Sequence, residues 1–308
     1  MNLFDVVMPY VLAGISVGGQ YALIAIGYTM VYGILRLINF AHGDVFMVAG
    51  LVMVYLAASL PLLIAIPIVI VMIMLLAFSI ERVAYKPLRQ APRMSVMISA
   101  IGVSYLLQNS ALYITGGLNK NYPSIPWISD SITVLGTTTK RVTAVTPFLV
   151  IVIVLCLVFL IQRTKTGIAM RAVAKDFETS QLMGIKIDSV ISSTFAVGSF
   201  LAAVGSILYF SNYPGVIPTS GAMPGLKAFV AAVFGGIGSI PGAVFGGFLI
   251  GVCESIIKGL DTILMQAGLI KTPLEMATFS DAFTFILLII ILVFKPTGLF
   301  GEKTADKV

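Results

Sequence analysis

The sequence predicts an all-α, polytopic membrane protein of about eight to nine transmembrane helices. Three observations carry that prediction. The 308 residues are 58% hydrophobic and only 10% charged, with a mean hydropathy of +1.05, well outside the balance of a water-soluble domain. Uncharged apolar runs such as 60–80 and 147–161 approach or exceed the ~20 residues with which a helix crosses the hydrocarbon. The runs are continuous, whereas the strands of a membrane barrel read as ~10-residue alternating segments. The net charge of +6 does not point to nucleic acid, because the basic residues crowd a few short connectors, as the positive-inside rule arranges them.

Those connectors orient the chain. Arg82, Lys86, Arg89 and Arg93 form one basic group, Arg163, Lys165, Arg171, Lys175 and Lys186 a second, and Lys295, Lys303 and Lys307 a third. All three are expected inside the cell. The start of the chain has no Lys or Arg before its apolar segment and carries Asp5, so it lacks the basic leader of a secretory signal and the first helix is expected to remain.

Counting from Arg82, helix 1 (about 6–33) runs inward from an external N-terminus, helix 2 (about 42–58) outward and helix 3 (about 60–81) inward. Helix 4 (about 95–115) runs out to a connector, 116–143, in which Tyr122 and Trp127 are candidate interfacial aromatics. Helices 5 (about 146–162) and 6 (about 190–212) follow, in and out. If 228–257 were a single helix, the basic C-terminus would lie outside. The glycine-rich stretch GGIGSIPGAVFGG (235–247) offers a break, giving helix 7 (about 224–238) inward, helix 8 (about 243–258) outward and helix 9 (about 280–295) inward to a cytoplasmic C-terminus. A shift of 199 residues aligns INFAHGDVF (38–46) with IGSIPGAVF (237–245) at four positions, so a parallel internal repeat of helices 1–3 and 7–9 is a candidate feature. The whole chain is expected to form one transmembrane domain, with 163–189 a cytoplasmic segment within it.

Two stretches concentrate polar or backbone-exposing residues. NFAHGDVFMVAG (39–50) holds the only histidine, His42, two residues before Asp44. On this topology it is the cytoplasmic turn between helices 1 and 2. Asp44 would complement the dipole of helix 2, with Asn39 or His42 capping free amides, and the same residues are candidates for a transport path. The second stretch is the glycine-rich bend. Small residues four apart, Gly14 and Gly18, Gly198, Ala202 and Ser206, Gly247 and Gly251, suit close helix packing, while a broken helix also exposes backbone along a transport path. The proline-rich stretch 212–225 is a further irregular candidate. Glu254 and Lys258 are spaced for a helical ion pair near the outer surface, and Asp281 for the first turn of helix 9.

Catalytic chemistry is not indicated. There is no Walker A sequence, and no Ser/His/Asp or HExxH arrangement. A lone histidine with Cys156 and Cys253 inside apolar runs implies no metal, cofactor or disulfide, and both cysteines are expected to be small buried hydrophobes. The chain is read as a non-enzyme. The segment 163–189 is expected to carry an amphipathic helix over 168–183 with Gly184 at its C-cap.

Glu178 and Gly184 have the E-x-x-x-x-x-G spacing of the coupling loop of bacterial ABC importer permeases, with Thr179 and Ser180 where that motif has alanines. Four stretches in order, ALIAIGYTMVYGILRLINFAHGD (22–44), GIAMRAVAKDFETSQLMGI (167–185), GLKAFVAAVFGGIGSIPGAVFGG (225–247) and KPTGLFG (295–301), closely resemble the LivH-type permease subunit of high-affinity branched-chain amino acid ABC transporters. The resemblance implies a multi-pass protein of the bacterial inner membrane, in a heterodimer with a sister permease. It implies two cytosolic ATPase subunits, a periplasmic protein delivering leucine, isoleucine or valine, and surrounding membrane lipid. Arg171, Ala174, Asp176, Glu178 and Gly184 match the family's coupling segment. Asn39, His42, Gly43 and Asp44 match one signature, and Gly235, Gly236, Gly238, Pro241 and Gly242 another. A permease of the same scaffold for urea, short amides or other amino acids, an ion-coupled carrier, and a purely structural membrane partner remain open alternatives.

Overall fold

A computed structural model describes residues 3–301 except Gln90, Leu135 and Pro296; Lys303 and Lys307 lie outside the described residues. The protein is an all-α bundle. The helices are α1 (Leu3–Leu35), α2 (His42–Ala57), α3 (Leu62–Ile80), α4 (Arg93–Thr115), α5 (Pro126–Ser129), α6 (Arg141–Arg163), α7 (Lys165–Lys175), α8 (Phe177–Leu182), α9 (Ile187–Asn212), α10 (Ala222–Gly235), α11 (Ile240–Gln266) and α12 (Ser280–Phe294). Among the described residues, seven helices are long and apolar enough to cross a membrane, and α2 and α10 are shorter apolar helices. Every predicted span therefore has a counterpart. The predicted break falls between α10 and α11, where Pro241 occupies the first turn of α11, a position that needs no donor.

Glycines decide the packing around α1, which is buried through most of its length. A β-carbon on Gly14 would stand 2.7 Å from the Cα of Val252, and one on Gly18 2.7 Å from the Cα of Phe248. One on Gly247 would stand 2.6 Å from the Cα of Ala22. These contacts climb α1 as they descend α11, so the two helices are antiparallel and meet backbone to backbone, as small residues at four-residue spacing permit. α9 lies along another face of α1, with Gly198 opposite Gly27 and Gly205 opposite Gln20. The periphery is different: α3, α4, α6 and α12 leave Leu75, Leu106, Phe159, Val293 and other apolar side chains exposed, as a face turned to lipid requires.

The connector 116–143 contains structure that the hydropathy pattern does not show. A two-residue strand β1 (Lys120–Asn121) pairs antiparallel with β4 (Gly215–Val216), and β2 (Ser131–Val134) forms a hairpin with β3 (Thr137–Lys140). Trp127 is exposed as an interfacial aromatic should be, but Tyr122 is buried, its ring 5.8 Å from that of Phe210. Cys156 likewise departs from expectation, lying on the exposed face of α6. The elements paired by the candidate repeat differ in length: α1 and α10 have 33 and 14 residues, and α2 and α11 have 16 and 27.

Candidate functional site

The first signature does not form a surface turn. After α1 the chain doubles back, so that α2 starts with His42, Gly43 and Asp44 all buried. The His42 imidazole lies against Gly27, where a β-carbon would collide with it, and its ring centroid is 4.9 Å from that of Tyr28, edge to face. Gly27 lies eight residues before the end of α1 and faces Gly198, well inside α9. α2 therefore begins within the bundle. At about 1.5 Å per residue its 16 residues span about 24 Å, and the 14 residues of α10 about 21 Å, both short of the ~30 Å hydrocarbon.

The capping expectation is corrected. α2 has Ala41 at its N-cap and no side-chain cap. The Asn39 Oδ1 accepts instead from the Tyr85 hydroxyl at 2.6 Å, tying the turn to the end of α3. The Asp44 carboxylate is in the first turn, as the dipole favours, and accepts from Ser104 Oγ at 2.5 Å and Gln108 Nε2 at 2.9 Å on α4.

Gly43 meets the N-terminal end of α10: a β-carbon on Gly43 would stand 2.7 Å from the carbonyl oxygen of Gly221 and 3.1 Å from the Cα of Gly225. The two short helices thus abut N-terminus to N-terminus inside the bundle.

The second signature lies at the other end of α10. Ser239 caps α11 by accepting from the Gly242 amide at 3.2 Å, and Gly242 lies against Gly235 across the bend. Gly236 and Gly238 both have φ +102°, a left-handed conformation that disfavours any residue with a β-carbon. The tail then completes the bend. Leu299 and Phe300 amides donate to the Phe234 and Gly235 carbonyls at 3.0 and 2.9 Å, satisfying the last turn of α10. Two of the four recognised stretches, 225–247 and 295–301, meet there. The Gly43 and Gly242 bends are not one site; α10 separates them.

Sequence reasoning missed Lys227. It is 4% exposed on α10, with Nζ 2.7 Å from Glu254 Oε1 and 2.6 Å from Asp281 Oδ1. Glu254 also takes Lys258 at 2.5 Å and the Tyr21 hydroxyl at 2.9 Å. The expected Glu254–Lys258 pair is present, but Glu254 is 2% exposed and anchors a network joining α1, α10, α11 and α12. No local spacing links Lys227 to a partner 27 residues on.

The segment 163–189 folds as two short helices rather than one. Thr164 caps α7, and Asp176 breaks the run and caps α8, its carboxylate accepting from the Thr179 amide at 3.1 Å and hydroxyl at 2.7 Å. Arg171 donates to the Gln162 carbonyl at 3.2 Å. Ala174 is half-buried, Glu178 and Gly184 are exposed, and Gly184 ends α8 at φ +81°. Around them Phe177, Leu182 and Met183 present apolar side chains to the outside, an unusual cost for a surface helix that touches nothing.

Comparison with known proteins places this arrangement. Residues 10–292 match the family model described as branched-chain amino acid transport system, permease component. The chain is 39% identical to the high-affinity branched-chain amino acid transport system permease protein LivH of Salmonella typhimurium, over 96% of each chain. It is also 39% identical to the corresponding protein BraD of Pseudomonas aeruginosa, again over 96% of each. A probable branched-chain amino acid transport permease of Methanocaldococcus jannaschii is 26% identical over 91% of this chain and 88% of its own.

Proposed function

Because the chain belongs to the family of branched-chain amino acid transport system permease components, we propose that it forms half of the translocation path of an ABC importer for leucine, isoleucine and valine. A sister permease supplies the other half, two cytosolic ATPases the work, and a periplasmic binding protein the substrate. The chain is a single permease domain in the bacterial inner membrane, its N-terminus outside and its C-terminus cytoplasmic.

The observation that carries the coupling role is the pair α7–α8. It is braced at both caps, leads directly into α9, and offers Phe177, Leu182 and Met183 outward beside Glu178 and Gly184. A motor that binds ATP more tightly in its closed state can push such a pair, and α9 passes the displacement to α1 and the α2–α10 junction. Asn39, His42, Gly43 and Asp44 at that junction, with Gly235, Gly236, Gly238, Pro241 and Gly242 at the far bend, are the residues about which the short helices turn.

The test is reconstitution. Tagged protein drawn gently from its native membrane, with everything that accompanies it, should bring two P-loop ATPases and a second permease and take up leucine in liposomes only with ATP. Uptake by this chain alone, without ATP, would overturn the proposal.

A further inference from the structure

The end of α3 is not a plain helix terminus. Glu81–Tyr85 form a π turn in which the Lys86 amide donates to the Glu81 carbonyl, five residues back, a widening often found at functional positions. The turn divides its side chains. Glu81 and Tyr85 face inward, where the buried Glu81 carboxylate takes Arg89 and, at 2.8 Å, the Ser192 hydroxyl, and Tyr85 reaches Asn39. Arg82 and Lys86 face outward, into a cleft of about 880 Å³ between α3 and the α8–α9 junction.

The cleft joins basic side chains to an apolar rim. Its walls carry Arg82, Lys86 and Lys186, and its lone carboxylate among the described lining residues, Asp188, is already taken by Lys86 at 2.5 Å and by Arg89. Arg82 and Lys186 have no carboxylate within 4 Å among the described residues and are exposed. Ser189 and Ser193 add hydroxyls, and Phe78 forms the apolar rim. From Phe78 the exposed side chains of Leu75, Met72 and Val71 continue along α3, a stripe at helical spacing that leads from the cleft into the span.

We propose that this cleft holds the headgroup of an anionic phospholipid, its phosphate between Arg82 and Lys186 and an acyl chain along the α3 stripe. Charge and apolar surface are joined in the order a lipid presents them. Basic pockets between helices at a cytoplasmic face recognise anionic headgroups for this reason. The inference rests on the inward orientation of the basic connectors, not on the identity of the transported substrate. It also gives the segment that carries α8 a second neighbour, since Gln181 and Gly184 line the same cleft.

The experiment is native mass spectrometry of the permease, purified with its accompanying subunits and placed in nanodiscs of phosphatidylcholine with a minority of phosphatidylglycerol. The wild type should retain phosphatidylglycerol above its share of the disc. Arg82→Gln with Lys186→Gln should weaken phosphatidylglycerol affinity roughly thirtyfold, as loss of two surface cations implies, and so lower that enrichment. The same loss of charge at Arg36 and Arg163 should leave it unchanged. Ser193→Asp, which adds a negative charge without removing a basic side chain, should lower it as well. Unchanged enrichment in the double variant and in Ser193→Asp overturns the proposal. So does loss of the ATPase subunits from the double variant with lipid retention intact, which would make the cleft a protein-docking surface.

Discussion

Gly225 and Gly43 are in backbone contact across the junction of α10 and α2: a β-carbon on Gly225 would stand 2.8 Å from the Cα of Gly43. Gly33, on α1, has nothing within 4 Å of such a position. The two sites should therefore respond in opposite ways. Gly43→Leu or Gly225→Leu is expected to destabilise by about 1–3 kcal/mol or more, through overpacking against backbone that cannot yield, and to abolish uptake. Gly33→Ala should stabilise by about 0.5–1 kcal/mol. Thermal melting of the detergent-solubilised complex reads both.

The Lys227–Glu254 pair predicts a non-additive pattern. Lys227→Met leaves Glu254 and Asp281 without their buried cation and is expected to cost about 3–5 kcal/mol. Lys227→Met combined with Glu254→Gln should recover a substantial part of that loss. Tyr21→Phe, which removes one hydrogen bond to a charged group, should cost less, about 1.5–3 kcal/mol. A double-mutant cycle on melting curves measures the coupling, and strict additivity would rule the network out as a stabilising unit.

Glu178→Lys and Gly184→Trp are expected to uncouple uptake from ATP hydrolysis while the chain remains inserted, because both residues are exposed beside the apolar surface of α8. Gly184→Trp also forces a β-carbon into a left-handed conformation, at about 1–2 kcal/mol, so Glu178→Lys is the cleaner of the two. ATPase rate and leucine uptake measured on the same vesicles separate the effects. Normal uptake in both variants would remove the coupling role.

Topology is testable with cysteines. In a background without Cys156 and Cys253, Ser129→Cys should react with an impermeant thiol reagent added outside intact cells. Ser189→Cys should react only after permeabilisation. The reverse pattern would invert the orientation.

Hydropathy and the charge rule located every span, including the division of α10 from α11, because apolar length and connector charge are properties of contiguous sequence. What escaped was depth and distant partnership. The stretch from Asn39 to Asp44 reads as a surface turn because it is polar. The Asn39 and Asp44 side chains are instead satisfied by Tyr85, Ser104 and Gln108, 46 to 64 residues away. Lys227 escaped for the same reason, its partners lying on α11 and α12. The β2–β3 hairpin was legible in principle: SITV and TTTK flank Gly136, a turn residue at φ +81°.

The contacts that hold α10 have a mechanical consequence. One end rests on Gly43 and the other on Gly242 and the tail amides of Leu299 and Phe300. At both ends main chain meets main chain, and between them Lys227 ties the helix to Glu254 and Asp281. Fastened at both ends and at Lys227 between them, α10 is expected to shift as one piece, so that movement at one bend is felt at the other.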